Sequence, residues 1–188
     1  VSAALPPFHL RFPRPLVVDV DHALLSGARP GRAPADPRLL RINRPALELL
    51  RLWRRFRGQV RLLTALPEGW DQWLGELLGL AGKVIRTGRR TEDMAMTTLT
   101  QFETRGFDLI GGGEIVSAIG AYAHRLWLVG ERGGLRSGMR TSGVPLVALE
   151  AADTVAVSEI AGGGQGWTLP AAAPASPLSI EVNRRYHP

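Results

Sequence analysis

The stretch that most constrains this chain is Leu16-Val17-Val18-Asp19-Val20-Asp21, where an apolar, β-prone run ends in two carboxylates one residue apart. A continuous apolar run of this length reads as a strand buried on both faces of a parallel sheet. Its acidic end then lies at the C-terminal edge of the sheet, where open α/β folds bind their ligands. Strand alternation predicts Asp19 and Asp21 on one side. Two carboxylates there can hold a divalent cation or divide nucleophilic and acid/base roles. The plainer alternative is a strand end with acidic turn residues.

The rest of the chain repeats the strand-then-helix rhythm. A helix is predicted from Pro45, at its first position, to about Phe56, with Leu47, Leu50 and Trp53 on its apolar face. Val60–Thr64 follows as a second strand. Pro67 opens a helix whose Trp70, Trp73, Leu74, Leu77 and Leu78 recur at helical spacing, which marks them as core rather than a platform for bases. A strand is expected over 82–87, a helix over 92–104 capped by Thr91, and a strand over 107–110 that breaks into Gly111-Gly112-Gly113. A helix over 114–122 and strands over 125–129, 145–149 and 154–159 complete the pattern. This alternation predicts an α/β fold, a central parallel sheet flanked by helices. Residues 1–15, with four prolines, read as an extended arm and 16–160 as the folded body. Residues 26–45 have the composition of a loop. The Gly/Ala/Pro-rich segment 161–188 reads as a tail, with an edge strand at 178–182.

Composition narrows the function. An apolar fraction of 45% with 21% charged residues belongs to a globular chain. The lack of cysteine excludes disulfides, thiolate metal sites and cysteine nucleophiles. No apolar run approaches the roughly 18 residues of a membrane span, and residues 1–15 have no signal-like hydrophobic core, so a cytoplasmic location is expected. The formal charge of +6 attracts anions: phosphorylated ligands, nucleic acid or acidic lipid. Of the 23 basic residues all but Lys83 are arginine, a bias that fits GC-rich coding and points to no partner by itself. The arginines of 51–61 are interleaved with core positions and read as a solvated helix face, which disfavours nucleic acid. In the loop 130–144, Arg132, Arg136 and Arg140 either wrap an anion or decorate an exposed turn. His9, His22, His124 and His187 lack metal-ligand spacing, and there is no G-x-S-x-G elbow. The glycine triplet misses the dinucleotide fingerprint at Val116 and reads as a tight turn.

Four segments carry a family likeness. Pro15 to Leu25 resembles a D-x-D-G-T-L-L motif, and Arg61-Leu62-Leu63-Thr64-Ala65 a strand ending in Ser or Thr. Gln101 to Gly111 and Ala123 to Val129 are similar to the strands around a fourth motif. Together, over about 15–150, they resemble the haloacid dehalogenase (HAD) superfamily, most closely the HAD-type domain preceding the membrane domain of some UbiA-type prenyltransferases. The resemblance implies a Rossmann-like fold and Mg²⁺-dependent phosphoryl transfer. It makes Asp19 the nucleophile, Asp21 the general acid and base, and Thr64 the holder of the phosphoryl group. It puts the cation of the third motif at Arg90, with Arg89 beside it.

The motifs are degenerate. His22 and Ala23 replace Gly and Thr of the first motif, and arginine replaces the third-motif lysine. Gly112 and Val116 stand where G-D-x-x-x-D has its acids, which leaves Mg²⁺ the ligands Asp19, Asp21 and, two residues late, Glu114. The cap is reduced to a loop between Asp21 and the helix at 45, which implies an open site. These departures favour an impaired HAD-like domain, a binding or scaffold subunit of a larger assembly with no cofactor. Against it stand a Mg²⁺-dependent phosphatase with an aspartyl-phosphate intermediate, and nucleic-acid or anion binding through the arginines. The Pro-rich ends and the loop 130–144 predict a protein partner, and the family likeness adds a membrane protein and peripheral attachment to a membrane complex.

Overall fold

A computed structural model describes residues 14–26, 40–67, 69–80, 82–88, 90–130 and 142–161. The arm before Arg14, most of the 26–45 loop, Arg89, the arginines of the 130–144 loop and the tail beyond Ala161 lie outside the described residues.

Six parallel strands form the central sheet: β1 (Leu16–Asp19), β4 (Val60–Thr64), β5 (Val84–Arg86), β6 (Asp108–Gly112), β7 (Arg125–Val129) and β8 (Leu146–Leu149). Their order is β5-β4-β1-β6-β7-β8. The chain builds outward from β1 to β4 and β5, then crosses back to place β6 on the other side of β1. The order therefore reverses at β1, and the crevice at its C-terminal end is the switch point where open α/β sheets bind ligands. In register, Asp19 lies beside Leu63, and Val18 beside Ile110.

Alternation along the strands divides the core into two layers. Leu16, Val18, Leu62, Ile110 and Trp127 pack on one face, under α1 (Arg44–Arg55) and α2 (Trp70–Leu77). Val17, Leu63, Leu109, Leu126 and Leu128 pack on the other, under α3 (Thr91–Gln101) and α4 (Gly113–Ile119). Trp70 and Trp73 are 3% and 5% exposed and meet edge to face, so they are core. Trp53 meets Trp127 the same way across the first layer.

Local chemistry moved several boundaries. Asn43 caps α1 by accepting from Ala46 N at 2.9 Å, so Pro45 is the second helical residue. Helix α2 begins three residues after Pro67 because Gly69, at φ +87°, turns the chain first. Thr91 is the first residue of α3 and not its cap, a place taken by Arg90. Gly111 and Gly112 lie within β6, and only Gly113, at φ +47°, turns into α4.

The loop expected over 26–45 is bordered by strands. β2 (Leu25–Ser26) pairs antiparallel with β3 (Arg41–Asn43), and β3 with β9 (Thr154–Ala156), in a second, three-stranded sheet. The cap region is thus more than a loop. The last expected strand stops at Ala156, and Val157–Ala161 forms a short helix, α5.

Candidate functional site

β1 ends at Asp19, one residue earlier than its apolar pattern suggests. Val20–Leu24 forms a single wide helical turn of the π type, capped by Asp19, which accepts from His22 N at 3.2 Å. π-type turns concentrate at functional sites. Asp21 is therefore on this turn and not on the strand, so strand alternation is not what places it beside Asp19. The turn brings both carboxylates to the switch point, where they are 0% and 3% exposed.

Each carboxylate has protein donors of its own. The two Asp19 oxygens lie 3.1 and 3.2 Å from His22 Nδ1. Asp21 accepts from Thr64 Oγ1 at 2.8 Å on one oxygen and from Ala65 N at 2.7 Å on the other. Thr64, at the tip of β4, also accepts from Leu66 N at 3.0 Å and is fully buried. Its one proton is thus given to Asp21. Asp19, Asp21 and Thr64, expected together from the sequence, are together.

The electrostatics follow from burial and pairing. Burial raises the Asp21 pKa, against the lowering effect of its bonds from Ala65 and Thr64, and the Asp19 charge adds to the rise. The hydrogen bond that His22 Nδ1 gives to Asp19 raises the His22 pKa in spite of burial, and the charges of Asp19, Asp21 and Glu114 support it. His22 is thus biased toward imidazolium beside Asp19. It is the residue to which the sequence assigned no role, although its place three residues after Asp19 was the available signal.

Arg90 caps α3 with its backbone and is exposed; its guanidinium has no bond to Asp19 or Asp21 among the described residues. Glu114 is exposed on the first turn of α4 and accepts from Thr91 Oγ1 at 3.0 Å. Neither side chain joins the hydrogen-bonded array.

Two solved structures share this arrangement of strands and helices. One is the cobalt-bound deoxy-D-mannose-octulosonate 8-phosphate phosphatase of Haemophilus influenzae, at TM-score 0.53 and 12% identity over 81% of this chain and 90% of that one. The other is a Vibrio cholerae protein named for 3-deoxy-D-manno-octulosonate 8-phosphate phosphatase activity, at TM-score 0.53 and 11% identity over 80% and 82%. The fold is the HAD fold. No family model and no curated protein matches the chain.

The HAD resemblance implies a divalent cation at the tip of β1, and the residues present do not fit one. Mg²⁺ requires oxygen ligands in near-octahedral geometry at about 2.0–2.1 Å. Here the Asp19 oxygens face an imidazole nitrogen, and both Asp21 oxygens accept protein bonds. Acids at the two fourth-motif positions would not fit without rebuilding the turn. A Cβ on Gly112 would lie 2.4 Å from the His22 carbonyl oxygen, and Val116 is fully buried in the second core layer. Among the described residues no three histidine or carboxylate side chains are grouped to hold a metal.

Proposed function

We propose that this chain is a HAD-fold domain whose carboxylate pair serves structure rather than turnover, and that it acts as a binding or scaffold subunit of a larger assembly. One observation carries the reading: Asp19, Asp21 and Thr64 form a buried array whose groups bond to the protein itself. An aspartate nucleophile needs a free lone pair and a screened approach to a phosphoryl group. The Asp19 oxygens instead face His22, and the Thr64 hydroxyl that would hold a phosphoryl oxygen bonds Asp21. The likeness of the first motif to domains preceding UbiA-type prenyltransferases makes a membrane protein the partner to test first. Among the described residues no helix is long and apolar enough to cross a membrane.

A second reading, a divalent-metal phosphatase on an open-site substrate, draws on a specific observation. Burial favours the protonated form of Asp21, as a general acid requires. The phosphatase names of both structural neighbours support it as well. Assay with p-nitrophenyl phosphate in Mg²⁺ or Co²⁺ separates the two. The scaffold reading expects no turnover above buffer with either metal. Turnover that disappears in Asp19→Asn sinks that reading and establishes the second.

A further inference from the structure

The end of the sheet opposite the Asp19–Asp21 array carries a cleft of about 380 Å³. It opens between the C-terminal ends of α1 and α2 and the starts of β4 and β5. β4, which rises about 3.3 Å per residue, runs from Val60 in the cleft wall to Thr64 at the other end of the sheet. Among its lining residues Arg54, Arg57, Arg61 and Lys83 are basic and none is acidic. Lys83 is the sole lysine of the chain. Among the described residues none of these four cations makes an ion pair.

Basic residues at a helix C-terminus usually answer the partial negative charge of the last carbonyls. Here those carbonyls are already paired. Both helices end in the same doubly hydrogen-bonded turn. After α1, Gly58 N donates to Trp53 O and Arg57 N to Arg54 O, each at 2.9 Å. After α2, Gly79 N donates to Glu76 O at 2.9 Å and Leu80 N to Gly75 O at 2.5 Å. Arg54 Nη1 adds a bond to Leu78 O at 2.8 Å. Capping thus employs one side chain of the four, and three positive charges are surplus to it.

The two turns differ at their left-handed position. After α2 that residue is Gly79, at φ +64°; after α1 it is Arg57, at φ +58°. Glycine is the usual occupant, because a Cβ crowds the following carbonyl there. The glycine after α1 comes one residue later, at Gly58, where a Cβ would lie 2.4 Å from the Trp53 ring. The chain therefore carries a bulky cation at a backbone position that favours glycine, and that cation lines the cleft. Strain of this kind is enriched at functional positions, and among the described residues Arg105, at φ +63°, is the other non-glycine case.

We propose that this cleft binds a small, multiply charged anion bearing phosphoryl groups. Its volume is within the roughly 300–1,000 Å³ of small-molecule sites. Guanidinium forks suit phosphoryl oxygens in pairs, the Lys83 ammonium supplies a compact point charge, and buried Val60 and Leu80 offer apolar contact. A nucleic-acid strand calls for a basic groove that tracks its backbone, which a single concavity does not provide.

Calorimetric titration of the full chain with inorganic triphosphate tests this, with adenosine triphosphate and a single-stranded oligonucleotide as parallel probes. Triphosphate should saturate one site per chain, more weakly as salt rises. Arg57→Gly and Lys83→Met should each lower its affinity about tenfold, as loss of a charge-assisted contact does. Arg44→Met, which removes a charge elsewhere, should leave the affinity unchanged. Arg57→Gly should also melt no lower than the parent, so that lost binding is not lost folding. Tighter binding of adenosine triphosphate than of triphosphate identifies an organic ester as the ligand, and equal binding a polyphosphate. Absence of saturable binding by both, an equal loss in Arg44→Met, or tighter binding of the oligonucleotide overturns the proposal.

Discussion

At the residue scale, the buried charge most exposed to test is Asp108, at the start of β6. It is 4% exposed, its Oδ1 has no hydrogen-bond partner, and burial raises its pKa to about 6 in spite of nearby Arg125 and Arg14. The folded state thus binds a proton more tightly than the unfolded chain, whose aspartates titrate near 3.9. The Asp108 contribution to stability is therefore expected to fall as pH rises from about 4 to about 6 and to level off above. The total loss is at most about 3 kcal/mol, the free energy of a two-unit shift. Urea denaturation of the parent and of Asp108→Asn across this range checks it: the slope should be steeper in the first, and what is left in the second belongs to Asp21, whose pKa is raised as well. The sequence showed that an acid stood here but not that it was buried. Burial came from the pairing of β6 with β1 and β7, which no local pattern announces. The same limit applied to Asp21. Its residue type and neighbourhood were legible, whereas its place on a π-type turn depends on backbone geometry after the strand ends.

At the scale of elements, Asn43 joins the two sheets. It ends β3, caps α1 through Ala46 N, and donates from Nδ2 to Glu150 O at 2.8 Å, just after β8. Asn43→Ala removes both bonds and is expected to destabilise the fold by roughly 1–2 kcal/mol. Chemical denaturation with an unchanged m-value would confirm a local loss. Elements with a strong period were readable: β1, β4, β6 and β7 are apolar runs, and α1 and α2 carry apolar stripes. β2 and β3 were not, because strands of two or three residues have no period to detect; β9 was expected, but three residues too long, since Val157 starts a helix. Helix starts shifted by a residue or more wherever a turn residue such as Gly69 or Arg90 intervened.

On the scale of the whole molecule, the strand order sets a gradient of protection. β1 lies at the switch point between β4 and β6, and its four residues are buried. The edge strands β5 and β8 have no fully buried residue. Native-state hydrogen exchange should be slowest in β1, β4 and β6 and progressively faster toward β5 and β8. Equal protection across all six strands would contradict this ordering. The molecule thus has a rigid centre holding the carboxylate array at one end of the sheet, and a charged cleft beside a more labile edge at the other.

The contact between Gly112 and the His22 carbonyl has a consequence for what this site can become. Adding an acid at position 112 meets backbone, and so does any side chain at all. A design that adds a carboxylate here cannot start with the carboxylate. It has to start by moving the turn at 20–24, which holds Asp19 and Asp21 in place. The first step would therefore disturb the residues that the later ones need. The constraint on position 112 is thus set by a carbonyl oxygen rather than by any side chain.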